Sequence, residues 1–444
     1  MGNLYPIIIY DKNMTNNMTD DKLNNSTNNY IWHPFTPLLT SPPPLPISHA
    51  KGCYIYSESG RKIIDAIASW WVNLHGHSHP YIAAAIAKQA AELEHIIFAG
   101  FTHQPAMNLA KRLIQILPDN QSKVFFSDNG STATEVAMKM AFQYFYNQGI
   151  KKQKIIAFEG AYHGDTFGAM SVGDRSPFNA PFQHFLFDVE FLPLPVGNDE
   201  IVAFEKMATL LETNKVAAFI FEPLVQGASG MRMYEAAALD KLVAMAQAKD
   251  VICIADEVMT GFGRTGKLFA SQYLQHKPDI ICLSKGITGG FLPLGVTTCT
   301  EKIISAYKHT DLMKTFFHGH SYTANPIVCA AANASLDLLL QETCLADIQR
   351  IATKHEEFIK ILQHLEIANK IRNIRNLGVI LAFEVVTEQE TSYINEARSS
   401  LYDYFLAKNV LLRPLGNVIY ILPPYCITNE ELDFVYGVIL EKIS

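Results

Sequence analysis

Two charged residues stand at the ends of apolar runs that are typical of buried strands. The run Val-Ile-Cys-Ile-Ala ends at Asp256, and the run Asp-Ile-Ile-Cys-Leu-Ser ends at Lys285. In α/β sheets the carboxyl ends of parallel strands line the ligand crevice. A desolvated lysine there can lose its proton and attack a carbonyl carbon, and an aspartate can hold a protonated pyridine nitrogen. Pyridoxal phosphate (PLP) chemistry requires this pair of groups, although each could also be an ordinary charge at a strand end.

A turn of small polar residues could hold the phosphate of such a cofactor. A helix-like stretch follows the segment SDNGS (127–131), and Thr132 with Glu135 fits a capping box at its start. Free backbone N–H groups at a helix N-terminus bind phosphate, and Gly130 allows close approach. Tyr162 follows a strand-like run, where an aromatic ring can stack on a flat cofactor. A plain capped turn and a loop aromatic that fills a gap are the alternatives.

A competing phosphate loop is present in the segment GFGRTGK (261–267), which satisfies the pattern G-x-x-x-x-G-K. The next residue is Leu268 rather than Ser or Thr, so the hydroxyl that binds magnesium is missing. Five residues also separate the loop from the preceding strand. A nucleotide-binding protein built on Gly261–Lys267 is therefore only a distant alternative.

Two further motifs are candidates for a substrate site. Trp70-Trp71 supplies two of the three tryptophans, which could form a flat apolar wall or simply pack in the core. Arg413 precedes Pro414, and a residue before proline is extended. That geometry could aim the guanidinium into a cleft to bind a carboxylate through two hydrogen bonds, while an ordinary surface arginine is the alternative.

The elements that must position these residues alternate between strands and helices. Runs typical of strands buried on both faces occur at 124–127, 154–159, 217–223, 251–258, 279–284 and 294–300. Amphipathic stretches lie between them, one of which places Val136, Met140 and Tyr144 on one stripe. This alternation predicts an α/β domain around a mostly parallel sheet.

The rest of the chain predicts three smaller units around that domain. A long helical region after Pro326 is followed by two strand-like and two helix-like segments, an α+β arrangement. The polar N-terminus predicts a disordered or loosely attached tail. We therefore predict four units: the tail at 1–29, a segment at 30–64 that packs with the small domain, the large domain at 65–335 and the small C-terminal domain at 336–444.

Composition excludes several classes of function. The net charge of −7 and the lack of a long basic run argue against nucleic-acid and anionic-membrane partners. No apolar stretch is long enough to span a membrane. Seven dispersed cysteines without a CxxC motif indicate reduced thiols and a cytoplasmic enzyme. The histidines at 75–79 and 318–320 lack complementary ligands, so no metal site is expected.

Taken together, these motifs resemble the class III (ω-type) aminotransferases, which are fold-type I PLP enzymes. The resemblance extends from about Ile31 onward and is most specific from Ile254 to Gly286. It implies a large domain around a mostly parallel sheet and a smaller α+β domain. Further strings resemble the branch that acts on 8-amino-7-oxononanoate in biotin biosynthesis: IWHP (31–34), SWW (69–71), AYHGDTFGAM (161–170), VQGA (225–228), GMRMY (230–234), RPLG (413–416) and PPY (423–425).

The resemblance implies a role for each matching residue of the cofactor site. Lys285 would bind the cofactor covalently and move a proton, and Asp256 would pair with the pyridine nitrogen. Tyr162 would stack on one face of the ring and Val258 would pack on the other. The phosphate would be held by Gly130 and Ser131 of one subunit and by His320 and Ser321 of its partner.

The same resemblance implies an obligate homodimer with shared active sites and a defined substrate site. Arg413 would bind the carboxylate of the acceptor, 8-amino-7-oxononanoate. The residues expected to line the substrate site are Phe35, Trp70, Trp71, Tyr162, Gly319, Arg413 and Tyr425.

The amino donor is the point on which the sequence departs from the usual pattern. The branch commonly has Tyr after Ile-Trp-His-Pro, whereas this chain has Phe35, which removes one hydroxyl. The strings KTFFHGHSY (314–322) and GGFLPLG (289–295) also resemble enzymes that take the amino group from lysine. S-adenosyl-L-methionine and lysine therefore both remain as donors. Another ω-aminotransferase, acting on ornithine, 4-aminobutyrate or a diamine, is the alternative function.

Overall fold

The computed structural model describes residues 30–364 and 369–444. The tail predicted at 1–29 lies outside the described residues. Sixteen strands are present within that part of the chain: β1 Ile47–Lys51, β2 Tyr54–Ser57, β3 Lys62–Asp65, β4 Gln121–Ser127, β5 Lys154–Phe158, β6 Glu190–Leu192, β7 Val216–Phe221, β8 Val225–Gln226, β9 Arg232–Met233, β10 Ile252–Asp256, β11 Ile280–Leu283, β12 Gly295–Thr300, β13 Ile371–Leu377, β14 Ile380–Val385, β15 Val410–Leu411 and β16 Val418–Ile421.

The helices lie mainly between these strands. They are α1 Pro80–Glu92, α2 Gln104–Ile116, α3 Gly130–Asn147, α4 Phe167–Ser171, α5 Asp199–Glu212, α6 Ala236–Ala248, α7 Glu301–Ser305, α8 Pro326–Leu339, α9 Glu342–His364, α10 Ala397–Ala407 and α11 Asn429–Ile443. Short 3₁₀ turns cover Ala180–Phe185, Ala270–Tyr273, Lys285–Thr288 and Leu312–Lys314. Among the described helices, none is both long and apolar enough to cross a membrane.

A seven-stranded sheet forms the centre of the large domain, in the order β4-β12-β11-β10-β7-β5-β6. Strands β11, β10, β7, β5 and β6 pair in parallel, and only β12 pairs antiparallel to its neighbours β11 and β4. The mostly parallel sheet predicted from the sequence is therefore confirmed.

Strand β10 shows why these strands read as continuous apolar runs. All its residues are buried. Ile252 and Ile254 belong to one hydrophobic core, whereas Cys253 and Ala255 belong to the other. Because successive strand residues point to opposite faces, a sheet covered on both sides leaves no position for a solvated polar residue.

Two antiparallel units involve the ends of the chain. Strands β13, β14 and β16 form a three-stranded sheet. Strands β1, β2 and β3 form a second, antiparallel sheet, and β15 pairs in parallel with its edge strand β3. The helical region predicted after Pro326 is two helices, α8 and α9, rather than one. The boundaries of the four units stay a prediction.

Candidate active site

Neighbouring strands bring the two residues identified first in the sequence to one cavity. Strand β10 pairs in parallel with β11, and Asp256 lies opposite Cys282, three residues before Lys285. Asp256 and Lys285 both line a cavity of about 450 Å³. The carboxyl ends of parallel strands meet at one edge of the sheet, so this arrangement follows from the topology.

Lys285 is poised to lose its proton. Burial lowers its pKa from 10.5 to about 8, while Asp256 and Glu222 act in the opposite direction. Its ammonium nitrogen lies 4.5 Å from the centre of the Trp71 ring. A lysine with this pKa has a substantial neutral fraction near pH 8, and the neutral amine is the nucleophile.

Asp256 is held in place by two donors. Its Oδ2 lies 2.7 Å from Nδ1 of His163, and its Oδ1 accepts from the backbone N–H of Val258 at 3.0 Å. Each oxygen keeps a lone pair for a further donor in the cavity. Nε2 of His163 is buried and has no partner in the described part of the chain. Through its Nδ1, His163 orients the carboxylate of Asp256.

Glu222 is a second buried carboxylate that the sequence did not single out. It lines the cavity and accepts from the N–H groups of Tyr162 at 3.0 Å and Gly227 at 2.9 Å. Burial raises its pKa to about 7. The signal for Glu222 was available, because it directly follows strand β7 as Asp256 ends β10. His163 directly follows Tyr162 in the string AYHGDTFGAM (161–170), which is the signal in the sequence for its place beside the cavity.

The turn before α3 has free N–H groups where a phosphate would need them. Among the described residues, Gly130 and Ser131 donate their N–H groups to no acceptor. The turn also has little spare room: a Cβ atom on Gly130 would lie 2.8 Å from Val258 Cγ1, and one on Gly164 would lie 2.2 Å from Ser131 Oγ. Small residues are therefore required here.

The cap of α3 corrects the expected capping box. Asn129, not Thr132, is the N-cap, and Asn129 and Thr132 bond reciprocally. Glu135 instead accepts from Thr166 Oγ1 at 2.5 Å and from the N–H groups of Gly168 and Ala169. Glu135 thereby anchors the loop that carries Tyr162 to the helix that carries the phosphate turn.

The residues around this cavity fit PLP. A carboxylate, a partly desolvated lysine and a pair of free N–H groups face one space, and Tyr162 and Val258 line the same space. The hydroxyl of Tyr162 donates to Asp165 at 3.0 Å, which fixes the ring. Orphaned Nε2 of His163 and the close packing at Gly130 are features that a polar, phosphate-bearing ring would explain.

A larger cavity of about 1070 Å³ shares Trp71, Tyr162 and Lys285 with the first. Phe35 and Trp70 lie on its wall, with their rings edge to face at 5.5 Å. Nε1 of Trp71 donates to the hydroxyl of Tyr420 at 3.1 Å. This cavity provides a flat apolar wall next to the reactive lysine.

The backbone of that wall is strained. Residues Ala68–Trp71 have φ values of 50°, 46°, 69° and 75°, which is the left-handed region. For residues with a Cβ atom this region costs roughly 1–2 kcal/mol each. Three contacts fasten the wall: Ser69 Oγ donates to Asp65 at 2.7 Å, and Arg264 donates to the carbonyls of Trp71 and Asn73. The strain is therefore maintained by surrounding structure.

A family model for the class-III aminotransferases matches residues 39–443. The chain belongs to this family. It is therefore an aminotransferase, and the fold-type I architecture and the PLP dependence expected from the sequence are confirmed.

Individual relatives cover nearly the whole chain. The adenosylmethionine-8-amino-7-oxononanoate aminotransferase of Synechococcus elongatus is 50% identical over 424 residues, 94% of this chain and 98% of that protein. The enzyme of the same name from Geobacter sulfurreducens is 40% identical over 91% of this chain and 93% of its own length.

Two solved structures also match nearly the whole chain. The Methanocaldococcus jannaschii enzyme of that name superposes with a TM-score of 0.88 at 35% identity, over 95% of this chain and 99% of its own. A PLP-bound amine transaminase from an uncultivated Pseudomonas species superposes with a TM-score of 0.86 at 30% identity, over 93% of this chain and 98% of its own.

The other residues predicted for the substrate site of this aminotransferase lie in different surroundings. Arg413 lies over Trp70, with its Cζ 5.0 Å from the ring centre; it lines neither cavity, and its Nε has no partner among the described residues. Tyr425 is 1% exposed, its hydroxyl donates to the Phe262 carbonyl, and it lines neither cavity, so its expected place in the substrate site stays a prediction.

His320 lies beside the phosphate turn of its own chain, with Nε2 3.3 Å from Asp128 Oδ1. Gly319 and Ser321 are exposed next to it. The expectation that these residues serve the partner subunit stays a prediction.

The Gly261–Lys267 loop is not built to hold a nucleotide. The N–H groups of Gly261, Gly263 and Gly266 donate to carbonyls of the chain itself. Arg264 is 1% exposed and Lys267 donates to the Gln272 carbonyl. With its N–H groups already used, the loop cannot surround a phosphate. Of the described histidines, His75 bonds Ser335 and His77 bonds Asp65, and the described residues contain no cluster suited to a metal ion.

Proposed function

We propose that this enzyme transfers an amino group to 8-amino-7-oxononanoate and forms 7,8-diaminononanoate, a step of biotin biosynthesis. The enzymes from S. elongatus, G. sulfurreducens and M. jannaschii carry the name of that activity and match nearly the whole chain. The observation that carries the proposal is structural: Asp256 and Lys285 face one cavity, and that cavity opens onto an aromatic wall.

Each residue of the cofactor site has a proposed task. When bound, PLP supplies a carbonyl that exchanges with amines and a ring that withdraws electrons. Lys285 would hold the carbonyl carbon and then move a proton at its Nζ. Asp256, oriented by His163, would keep the ring nitrogen protonated. The phosphate would take the N–H groups of Gly130 and Ser131, and the ring would lie between Tyr162 and Val258.

The substrate site would use the larger cavity. An aliphatic chain matches the apolar wall of Phe35, Trp70 and Trp71, which excludes water from the reacting carbon. Arg413 lies behind Trp70 with an unpaired Nε, and it is the proposed carboxylate partner. Gly319 is proposed to contribute to the same site from the partner subunit.

We also propose a homodimer with shared active sites, in which His320 and Ser321 of one subunit reach the phosphate of the other. Support comes from the exposed position of Ser321 and from the family membership. A cytoplasmic location is proposed because all seven cysteines are free.

The donor is proposed to be S-adenosyl-L-methionine, after the name of the relatives. Lysine is the second donor candidate, because Phe35 supplies no hydroxyl at the mouth of the cavity. The second candidate function is a broader ω-aminotransferase acting on ornithine, 4-aminobutyrate or a diamine. The similarity to the Pseudomonas amine transaminase favours that alternative.

A half-reaction distinguishes these possibilities. The purified holoenzyme should be yellow, and Lys285→Ala should lose that colour's pH-dependent band. Adding S-adenosyl-L-methionine or lysine separately should bleach the band with the true donor only, and 8-amino-7-oxononanoate should restore it from the aminated form.

Arg413→Gln should raise the KM for the acceptor while 4-aminobutyrate stays a poor substrate. Turnover of 4-aminobutyrate without any turnover of 8-amino-7-oxononanoate would instead establish the broader enzyme.

A further inference from the structure

Two cysteines from opposite ends of the chain lie side by side near the substrate wall. Cys53, between β1 and β2, and Cys426, between β16 and α11, are 373 residues apart in sequence, yet their Sγ atoms are 3.5 Å apart. Cys53 is 2% exposed, whereas Cys426 is exposed at the surface. The pair therefore joins an accessible thiol to a buried one.

The two thiols differ in reactivity. The hydrogen bond between the two thiols lowers the pKa of Cys426 and raises the pKa of Cys53. A thiol that is exposed and ionises readily attacks disulfides, and a neighbouring buried thiol can then displace the attached group. Accessibility and adjacency thus assign the two steps to different cysteines.

The surroundings leave Cys426 little freedom to turn away. A Cβ atom on Gly76 would lie 2.6 Å from its Sγ, so this cysteine packs directly on the glycine. Gly52, next to Cys53, exchanges two backbone hydrogen bonds with His77, and the N–H of Tyr425, next to Cys426, donates to Leu74. The segments that carry both thiols are therefore fastened to the loop after Trp71.

We propose that Cys53 and Cys426 form a reversible thiol–disulfide pair that reacts with low-molecular-weight disulfides such as oxidised glutathione. The Cys426 thiolate attacks one sulfur of the small disulfide, which breaks its S–S bond and releases one thiol. The Cys53 thiol then loses its proton as its sulfur attacks Sγ of Cys426, which forms the internal disulfide and releases the second thiol. The protein loses two protons and two electrons, and the small disulfide is reduced to two thiols.

The expected consequence is a more stable oxidised enzyme. A disulfide S–S bond is about 2.05 Å long, so the two sulfurs, now 3.5 Å apart, must approach by about 1.5 Å. Because the cross-link closes a very long loop, it restricts the unfolded chain strongly. We expect the oxidised holoenzyme to unfold at a higher temperature than the reduced one.

The test uses the full-length holoenzyme with oxidised glutathione, followed by alkylation and mass spectrometry. Wild type should lose two alkylatable thiols, give a cross-linked peptide that joins Cys53 to Cys426, and recover both thiols with dithiothreitol. Cys53→Ser should stop with one glutathione on Cys426, and Cys426→Ser should leave Cys53 free. Cys344→Ser is the control because it alters a half-buried cysteine outside the pair, and this variant should behave as wild type.

Several results would overturn the proposal. They are a free Cys426 after glutathione treatment, a cross-link from Cys426 to Cys344, and an oxidised wild type whose melting temperature equals that of oxidised Cys53→Ser. Retained yellow colour in each variant shows that the cofactor site is intact. If Cys53→Ser does not fold, Cys53→Ala supplies the same measurement with a smaller, apolar side chain.

Discussion

At the scale of single residues, Asp256 and Lys285 line the same cavity but have different surroundings. Asp256 receives two hydrogen bonds, which hold its carboxylate in one orientation. Lys285 receives no comparable hydrogen bond among the described residues, and burial favours its neutral form. One cavity therefore holds an oriented carboxylate and an amine whose pKa burial lowers.

The pKa of Lys285 predicts how stability of the cofactor-free enzyme depends on pH. Below pH 8 the lysine is protonated in the folded and the unfolded chain. Between about 8 and 10.5 the unfolded chain binds a proton that the folded chain lacks, so the free energy of unfolding rises with pH. From pH 8 to pH 10 wild type should gain about 2 kcal/mol relative to Lys285→Met, measured by urea unfolding of both apoproteins.

The matched control for this prediction is Lys267→Met, which removes an exposed lysine outside both cavities. That variant should keep the wild-type pH dependence. An equal slope in wild type and in Lys285→Met would show that the Lys285 amine titrates normally in the folded apoprotein.

At the scale of elements, the sequence predicted what continuous apolar runs can predict. The six strands of the central sheet that were identified from such runs are present, and they place Asp256 and Lys285 correctly. Strand β13 was missed because its sequence IRNIRNL is polar and mostly half-exposed. The left-handed backbone at Ala68–Trp71 has no glycine to signal it, because contacts distant in sequence maintain it.

The position of Glu135 gives the prediction at this scale. Its carboxylate joins α3 to the start of α4 through three hydrogen bonds, so it fixes the loop of Tyr162 relative to the phosphate turn. Glu135→Ala should weaken PLP binding and lower the free energy of unfolding by about 1–3 kcal/mol. Equilibrium dialysis of PLP and urea unfolding measure the two effects.

Glu205→Ala, an exposed glutamate on α5, is the control and should change neither quantity measurably. Glu135→Gln retains an acceptor oxygen and should lie between wild type and Glu135→Ala. PLP affinity that is unchanged in Glu135→Ala would mean that the loop is positioned by other contacts.

At the scale of the whole molecule, the site depends on contacts between the central sheet and the C-terminal strands. The loop that could have been mistaken for a nucleotide site is one such contact. The guanidinium of Arg264 in this loop donates to the backbone carbonyls of Trp71, Asn73 and Pro423. The backbone carbonyl of Arg264 accepts from the N–H of Val379, in the turn between β13 and β14. The sequence could not reveal this use of Arg264, because its partners are backbone carbonyls up to 193 residues away.

Gly378 lies in the turn between β13 and β14 that contacts this loop, and it gives the prediction at this scale. A Cβ atom there would lie 2.2 Å from the Gly266 nitrogen, a backbone atom that cannot move aside easily. Gly197 is the matched control: its φ is 59°, against 58° at Gly378, but nothing lies within 4 Å of its Cβ position. Both substitutions to Ala incur the left-handed penalty of about 1–2 kcal/mol, and only Gly378→Ala adds a clash, typically costing about 1–3 kcal/mol more. Gly378→Ala should therefore unfold at a clearly lower urea concentration than Gly197→Ala and should bind PLP more weakly, because displacing Arg264 loosens the wall at Trp71. Equal unfolding midpoints for the two variants would show that the turn between β13 and β14 can move away from the loop without cost.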